Sequence, residues 1–177
     1  MLTKNYAIQL MSEAIKLPHG NYVAALSLET VMDRCNGVGA EWMERVRLCG
    51  GRTTLLQLAN EVYGWAIAAS IRHDVRYAVG GTADMRRNDD KCFFEDCLYI
   101  ADSLYHAEHW YNPMRYVRLM HRRAQAKRMY VLLRAFGWMA YNFDNAEDRE
   151  NEEWISDERA ALADAEYIKE NTNHDRK

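Results

Sequence analysis

Residues 71–91 read IRHDVRYAVGGTADMRRNDDK and contain the one Gly-Gly pair that separates two long helical patterns. Before the pair, apolar residues recur at helical spacing from about residue 55 to residue 79. Gly80 and Gly81 predict the end of that helix, because glycine readily adopts the left-handed conformation of a helix C-terminus. A second helix is expected to begin near Thr82. Because the connection is short, the two helices are expected to pack as antiparallel neighbours.

The whole chain has a helical composition. Its 177 residues include only two prolines and nine glycines, 49% are hydrophobic, and the net charge is −3. Long alternating runs of β-branched residues are missing, so an all-α fold is expected. Besides the central pair, helices are predicted over residues 4–17, 22–32, a short segment after 39, and 113–143.

The last part of the chain differs from the rest. Acidic residues dominate from residue 144 onward and apolar residues become sparse. We therefore expect one helical domain over residues 1–143, which is long enough to bury a sizeable core. Residues 144–177 are expected to form an acidic C-terminal segment that is loosely docked or partly disordered.

Several features bear on the compartment. The sequence has no stretch of eighteen or more apolar residues, and its N-terminus lacks the pattern of a signal peptide. Its four cysteines show no CxxC spacing. These features predict a reduced, cytoplasmic protein. Association with a virion or action at a membrane surface is compatible with them.

A set of polar residues stands out at the junction of the two central helices. His73 and Tyr77 are four residues apart and share a face of the first helix. Asp90 lies on the apolar stripe of the second helix, where an unpaired charge would be costly to bury. An antiparallel pair brings Asp90 toward both residues, so Asp90 is expected to accept hydrogen bonds from them and to orient the imidazole. The neighbouring Asp89 is expected to point outward, to the surface.

Asp74 is expected to have a different role. Adjacent helical residues point about 100° apart, so Asp74 faces away from the His73 side. The segment from Cys35 to Gly39, CNGVG, is a loop by composition. Its glycines let a chain fold around an ion, and Ca²⁺ prefers carboxylate and carbonyl oxygens. Asp74 and this loop are therefore candidates for one calcium site.

The order of these motifs resembles the phospholipase A2 superfamily. The residues that carry the resemblance are NGVGA at 36–40, RHDVRYAVGGT at 72–82 and NDDKCFF at 88–94. They are closest to the small, cysteine-poor members found in bacterial and viral proteins. The resemblance covers roughly residues 35–104, under half of the chain. It implies a phospholipase A2-like antiparallel helix pair, here with additional N- and C-terminal helices.

The resemblance also implies a Ca²⁺-dependent hydrolysis of a phospholipid ester. His73 would be the general base that takes a proton from the attacking water, with Asp90 holding it and Tyr77 bracing Asp90. Ca²⁺ and the N–H group of Gly37 would stabilise the oxyanion. The implied protein ligands of Ca²⁺ are the Asp74 carboxylate and the carbonyl groups of Cys35, Gly37 and Gly39.

Simpler interpretations remain open. His73 and Asp74 also suit an ordinary polar helix end, and Asp90 suits the first turns of a helix, because both positions complement the helix dipole. Gly37 and Gly39 also suit an ordinary turn. A non-enzymatic, possibly viral, interaction or structural protein that keeps the helix pair is therefore the alternative.

The helix expected over residues 114–134 carries seven basic residues and no acid. Such a helix can bind an anionic lipid surface, a nucleic acid or a protein partner. It can equally be solvated, or paired internally with the acidic segment that follows residue 144. Internal pairing or solvation is the simpler expectation, and nucleic-acid binding is the third functional hypothesis. The basic residues are Arg115, Arg118, Arg122, Arg123, Lys127, Arg128 and Arg134.

Overall fold

The computed structural model of the chain describes residues 3–35 and 61–143. Within these two ranges the regular elements are all helical and no strand occurs, so the predicted all-α class is confirmed. Two short 3-10 helices lie at Gly64–Ala66 and Gly137–Met139. The α-helices are α1 (Lys4–Ala14), α2 (Asn21–Ala24), α3 (Leu28–Arg34), α4 (Ile67–Val79), α5 (Ala83–Ala107) and α6 (Met114–Phe136).

The helices α4 and α5 form the antiparallel pair expected around the glycine turn. Gly80 and Gly81 have φ values of 85° and 135°, a region that residues with a side chain rarely adopt. The hydroxyl of Thr82 accepts a hydrogen bond from the N–H of Met85 at 3.2 Å and so caps α5. The turn is covered by the chain that follows α6, because the N–H of Gly81 donates to the Asn142 carbonyl at 2.8 Å.

The single helix expected over residues 55–79 is interrupted in the part that the structure describes. Residues 61–63 are helical, the 3-10 turn at Gly64–Ala66 follows, and α4 begins only at Ile67. Glycine has a low helix propensity. In addition, the side chain of Gln125 on α6 donates to the Val62 carbonyl at 3.2 Å and accepts from the Trp65 indole at 2.9 Å. A tertiary contact that the local sequence does not encode therefore helps to fix this break.

Two other predicted boundaries were wrong. The segment 22–32 is divided into α2 and α3, because the Ser27 hydroxyl accepts from the N–H of Thr30 at 3.1 Å and starts a new helix. The helix expected to reach residue 143 ends at Phe136, before the 3-10 turn. The expected short helix after residue 39 and the acidic segment 144–177 lie outside the described residues.

Two apolar clusters hold the helices together. One joins α1, α2 and α3 to one side of α4, with Leu10, Val23, Val31, Ile71 and Val75 among its buried members. The other lies where α4, α5 and α6 meet, and contains Ala66, Ala69, Phe93, Cys97, Ala126 and Met129. The helix α4 therefore lies between two packed layers, which is why most of its polar residues are buried.

Among the described residues, no helix combines the length and the apolar character needed to cross a membrane.

Candidate functional site

The structure brings His73, Tyr77 and Asp90 together across the α4–α5 pair. The Tyr77 hydroxyl donates to Oδ1 of Asp90, and Nε2 of His73 lies 3.6 Å from the same oxygen. The second distance is typical of an ion pair and slightly long for a hydrogen bond. The Asp90 side chain is completely buried and His73 is 6% exposed. The expected grouping of the three side chains is therefore present, while their catalytic roles stay predictions.

Asp90 has a further partner that the sequence did not indicate. Nη1 of Arg134, on α6, donates to Oδ2 of Asp90 at 2.7 Å. Nη1 of Arg86, one turn before Asp90, lies 3.9 Å from the same oxygen. A buried carboxylate requires compensating positive charge, and this requirement is the one signal that could have pointed to an arginine. This requirement does not identify which of the many arginines binds Asp90.

These contacts determine the direction in which the pKa values of Asp90 and Tyr77 shift. Burial raises the pKa of Asp90, but the contact with His73 and the hydrogen bonds from Tyr77 and Arg134 outweigh it, so the pKa is lowered from its ordinary value. The pKa of Tyr77 is raised by burial and then by its bond to Asp90. At neutral pH, Asp90 is therefore a carboxylate that accepts from a protonated phenol.

The imidazole of His73 is held on both edges and on its faces. Its Nδ1 lies 3.4 Å from Oδ1 of Asp74, on the edge opposite Asp90. The ring centroids of Tyr77 and Phe93 lie 4.0 Å and 5.0 Å from that of His73. Burial lowers the pKa of His73, but the bonds to Asp74 and Asp90 and their charges prevail, so the pKa is raised. The arrangement favours a histidine that binds a proton more strongly than usual.

The charge of Asp74 acts on the residue at which the glycine loop begins. Burial, followed by the charge of Asp74, raises the pKa of the Cys35 thiol. That thiol donates to the Ile71 carbonyl at 3.6 Å, which holds the end of α3 against α4. The start of the loop thus lies within electrostatic range of the Asp74 carboxylate. The other implied ligands, Gly37 and Gly39, lie outside the described residues.

A metal site made of side chains alone is not seen in this part of the chain. Residues 3–35 and 61–143 contain no group of three or more His, Cys, Asp and Glu side chains placed to hold a metal ion. The implied calcium site differs in kind, because most of its oxygens would come from backbone carbonyls of the loop. Asp74 supplies the type of oxygen that Ca²⁺ prefers.

The prediction that Asp89 points to the surface was wrong. Its side chain is fully buried, and Oδ1 accepts from Nε of Arg76 at 3.2 Å and lies 3.6 Å from Nη1 of Arg72. The guanidinium of Arg76 also lies over the Tyr22 ring, 4.8 Å from its centroid. The N-terminal helices cover this side of the α4–α5 pair. The side of α5 that carries Asp89 is therefore buried, as is the side that carries Asp90.

The basic residues of α6 are mostly paired within the described part of the chain. Arg118 and Arg122 bind Glu108 at the end of α5, at 2.9 Å and 3.5 Å. Arg123 binds Asp102 at 2.8 Å. Internal pairing was expected, but the partners seen here are acids of the α5 region; the expected pairing with the segment after residue 144 lies outside the described residues.

No protein-family model, no curated protein and no solved structure matches this chain.

Proposed function

We propose that the protein is a Ca²⁺-dependent phospholipid ester hydrolase of the phospholipase A2 type. The observation that carries this proposal is the position of one buried histidine between two carboxylates. Asp90, with Tyr77 bonded to it, lies at one ring nitrogen of His73, and Asp74 lies at the other. A histidine so placed is both oriented and made more basic, which a general base requires.

In the proposed reaction, neutral His73 takes a proton from a water molecule at Nδ1. The edge carrying Nε2 faces Asp90, whose negative charge stabilises the imidazolium that forms. Tyr77 and Arg134 keep the Asp90 carboxylate in place and ionised. Proton transfer to His73 leaves hydroxide to attack the ester carbonyl, and the same proton can then pass to the leaving alcohol.

Calcium would be held by the Asp74 carboxylate and by the carbonyl groups of Cys35, Gly37 and Gly39. When bound there, the ion would supply positive charge next to the ester oxygen on which negative charge develops. The effect of the Asp74 charge on the Cys35 thiol supports this assignment. Asp74, which lies 3.4 Å from Nδ1 of His73 in this structure, would then turn toward the ion and leave that nitrogen to the water molecule.

The test is the release of fatty acid from mixed phospholipid vesicles, with Ca²⁺ and with a chelator. We expect the parent protein to release fatty acid only with Ca²⁺, and His73→Gln to lose the activity by at least about 100-fold, the usual contribution of a general base. His106→Gln, at an exposed histidine on α5, is the matched control and should retain activity. No release by the parent protein, or release that is insensitive to both the chelator and His73→Gln, would contradict the proposal.

The alternative is a non-enzymatic interaction or structural protein in which the same residues stabilise the helix pair. The observation in its favour is the 6% exposure of His73, since an imidazole in a core ion network needs no access to substrate. It predicts that His73→Gln and Tyr77→Phe lower the free energy of unfolding while the parent protein releases no fatty acid. An active parent protein would exclude it.

A further inference from the structure

The side of α6 that points away from α5 is unusually apolar for an exposed helix. Between residues 116 and 132 five large apolar side chains are each between 47% and 60% exposed. Single exposed apolar residues are common on proteins, but groups of them mark an interaction surface. Here they form two groups, at residues 116–120 and 131–132, with basic residues between them. We call this surface the outer face of α6. Its apolar members are Tyr116, Val117, Met120, Val131 and Leu132.

The outer face follows from the helical repeat. At about 100° per residue, its members lie on the half of the helix opposite the buried residues Leu119, Ala126 and Met129. The face extends from residue 116 to residue 132, which is about 24 Å along the helix axis. Lys127 and Arg128 lie on it and are exposed. Neither makes an ion pair with any residue in the ranges 3–35 and 61–143.

The charge on this helix is therefore distributed unequally. Four of the arginines that point toward α5 are paired with acids: Arg118 and Arg122 with Glu108, Arg123 with Asp102, and Arg134 with Asp90. The sequence of α6 contains no Asp or Glu, so the outer face carries positive charge without an acid of its own helix to offset it. An exposed surface that is apolar and positive is complementary to a partner that is apolar and negative.

We infer that the outer face of α6 docks on an anionic lipid surface, with the helix lying parallel to it. The apolar side chains would enter the boundary between head groups and acyl chains, while Lys127 and Arg128 bind lipid phosphates. Exposed Trp110 and Tyr111 stand in the connection directly before α6, and these residue types favour the membrane–water boundary. The proposed function supplies only the biological purpose of this docking. Binding to the lipid surface itself does not require ester cleavage.

Charge argues against two other occupants, a second copy of the chain and a nucleic acid. A second copy of the chain paired through the same face would place Lys127 and Arg128 near the basic residues of its partner, and α6 offers no acid to offset them. A nucleic acid would satisfy the two basic residues but would leave Val117, Met120 and Val131 in contact with a polar backbone. Of these three occupants, a lipid surface is the one that uses both kinds of side chain. If the acidic segment 144–177 covers this face instead, the full-length protein will not bind vesicles.

The test measures sedimentation of the full-length protein with vesicles, in the presence of a chelator so that hydrolysis plays no part. We expect binding to vesicles that contain phosphatidylserine and much weaker binding to phosphatidylcholine alone. Lys127→Gln with Arg128→Gln should weaken binding about fivefold per residue, or roughly thirtyfold together. Met120→Ser with Val131→Ser should weaken it several-fold at any salt concentration, because the lost contribution is apolar.

Matched variants control for net charge and for apolar content. Arg87→Gln with Lys91→Gln removes two exposed charges of α5, and Ile8→Ser removes an exposed apolar side chain of α1; both should leave binding unchanged. The inference is overturned by three results: no vesicle binding, binding that is insensitive to the outer-face variants, or duplex nucleic-acid binding or self-association without vesicle binding. Vesicle binding that persists when fatty-acid release is absent would reject the hydrolase and keep this inference.

Discussion

Arg134 and Asp90 are joined across the fold, with Nη1 of the arginine 2.7 Å from Oδ2 of the aspartate. The arginine belongs to α6, whereas the aspartate belongs to α5 and also accepts from Tyr77 of α4. One carboxylate thus connects the three long helices. The relationship explains how a fully buried Asp90 stays ionised next to His73, and it makes the candidate site depend on a helix outside the α4–α5 pair.

Replacing Arg134 tests this dependence. Arg134→Met keeps much of the side chain but leaves the buried Asp90 without its shortest charged contact, and we expect the free energy of unfolding to fall by about 2 kcal/mol. This loss is smaller than that for a fully buried ion pair, because the Arg134 side chain is 29% exposed. Arg123→Met, which breaks an exposed pair with Asp102, should cost less than about 1 kcal/mol. Urea unfolding measures the free energy of unfolding of both variants. Equal decreases would contradict the dependence of the site on Arg134.

The local sequence was sufficient for the features set by short-range rules. The glycine turn, the capped start of α5 and the approach of Tyr77 to Asp90 follow from glycine conformation, threonine capping and helical spacing. These features need only the two adjoining helices. The grouping of the candidate site could therefore be predicted from one stretch of about twenty residues.

The features that were missed depend on distant segments. Gln125 helps to end the helical run before Gly64 from a position sixty-three residues away from Val62. Arg134 reaches Asp90 from forty-four residues away, and the N-terminal helices bury the side of α5 that carries Asp89. Helical periodicity indicates that a side is polar or apolar, but not which other helix will cover it.

Asp89 offers a direct test of that missed burial. Asp89→Asn removes the negative charge that faces Arg76 and Arg72, and leaves two guanidinium groups in the interior with less compensation. We expect the free energy of unfolding to fall by about 3 kcal/mol. Asp84→Asn, at an exposed acid of the same helix, should change it by less than about 1 kcal/mol. If thermal and urea unfolding show the same small effect for both variants, the buried cluster does not exist in solution.

The glycine turn should tolerate no side chain at Gly80. An alanine there would adopt an unfavourable φ of 85°, and its Cβ would lie 1.7 Å from the Asn142 carbonyl oxygen. We expect Gly80→Ala to lower the free energy of unfolding by at least about 2 kcal/mol. Gly64→Ala is the control, because among the described residues its Cβ meets no atom closer than 4.0 Å, and it should be neutral or stabilising by up to about 1 kcal/mol. A stable Gly80→Ala variant would argue against the contact with Asn142.

The raised pKa of His73 gives the pH dependence of both activity and stability. The proposed base must be neutral, so the rate of fatty-acid release should increase with pH and level off only above the ordinary histidine value of 6.5. The stabilisation from protonated His73 is fully present below pH 6.5 and is lost as pH rises through the higher value in the folded state. The stability gap between the parent protein and His73→Gln should shrink over the same range. A rate that falls across this range would contradict the assignment.

Asp96 should make the protein less stable as the pH rises toward neutrality. Burial raises its pKa to about 6, although His19, whose N–H donates to Oδ1 at 3.2 Å, opposes the shift. Because the folded state holds this proton more tightly, the penalty is absent below the ordinary value of 3.8 and complete above about 6. Asp96→Asn keeps an acceptor for His19 without the charge, so it should stabilise the protein by roughly 1–3 kcal/mol at pH 7 and much less at pH 4. Urea unfolding at both pH values measures the difference, and exposed Asp33→Asn should show no such trend. If Asp96→Asn and the parent protein have the same free energy of unfolding at pH 7, Asp96 is not desolvated.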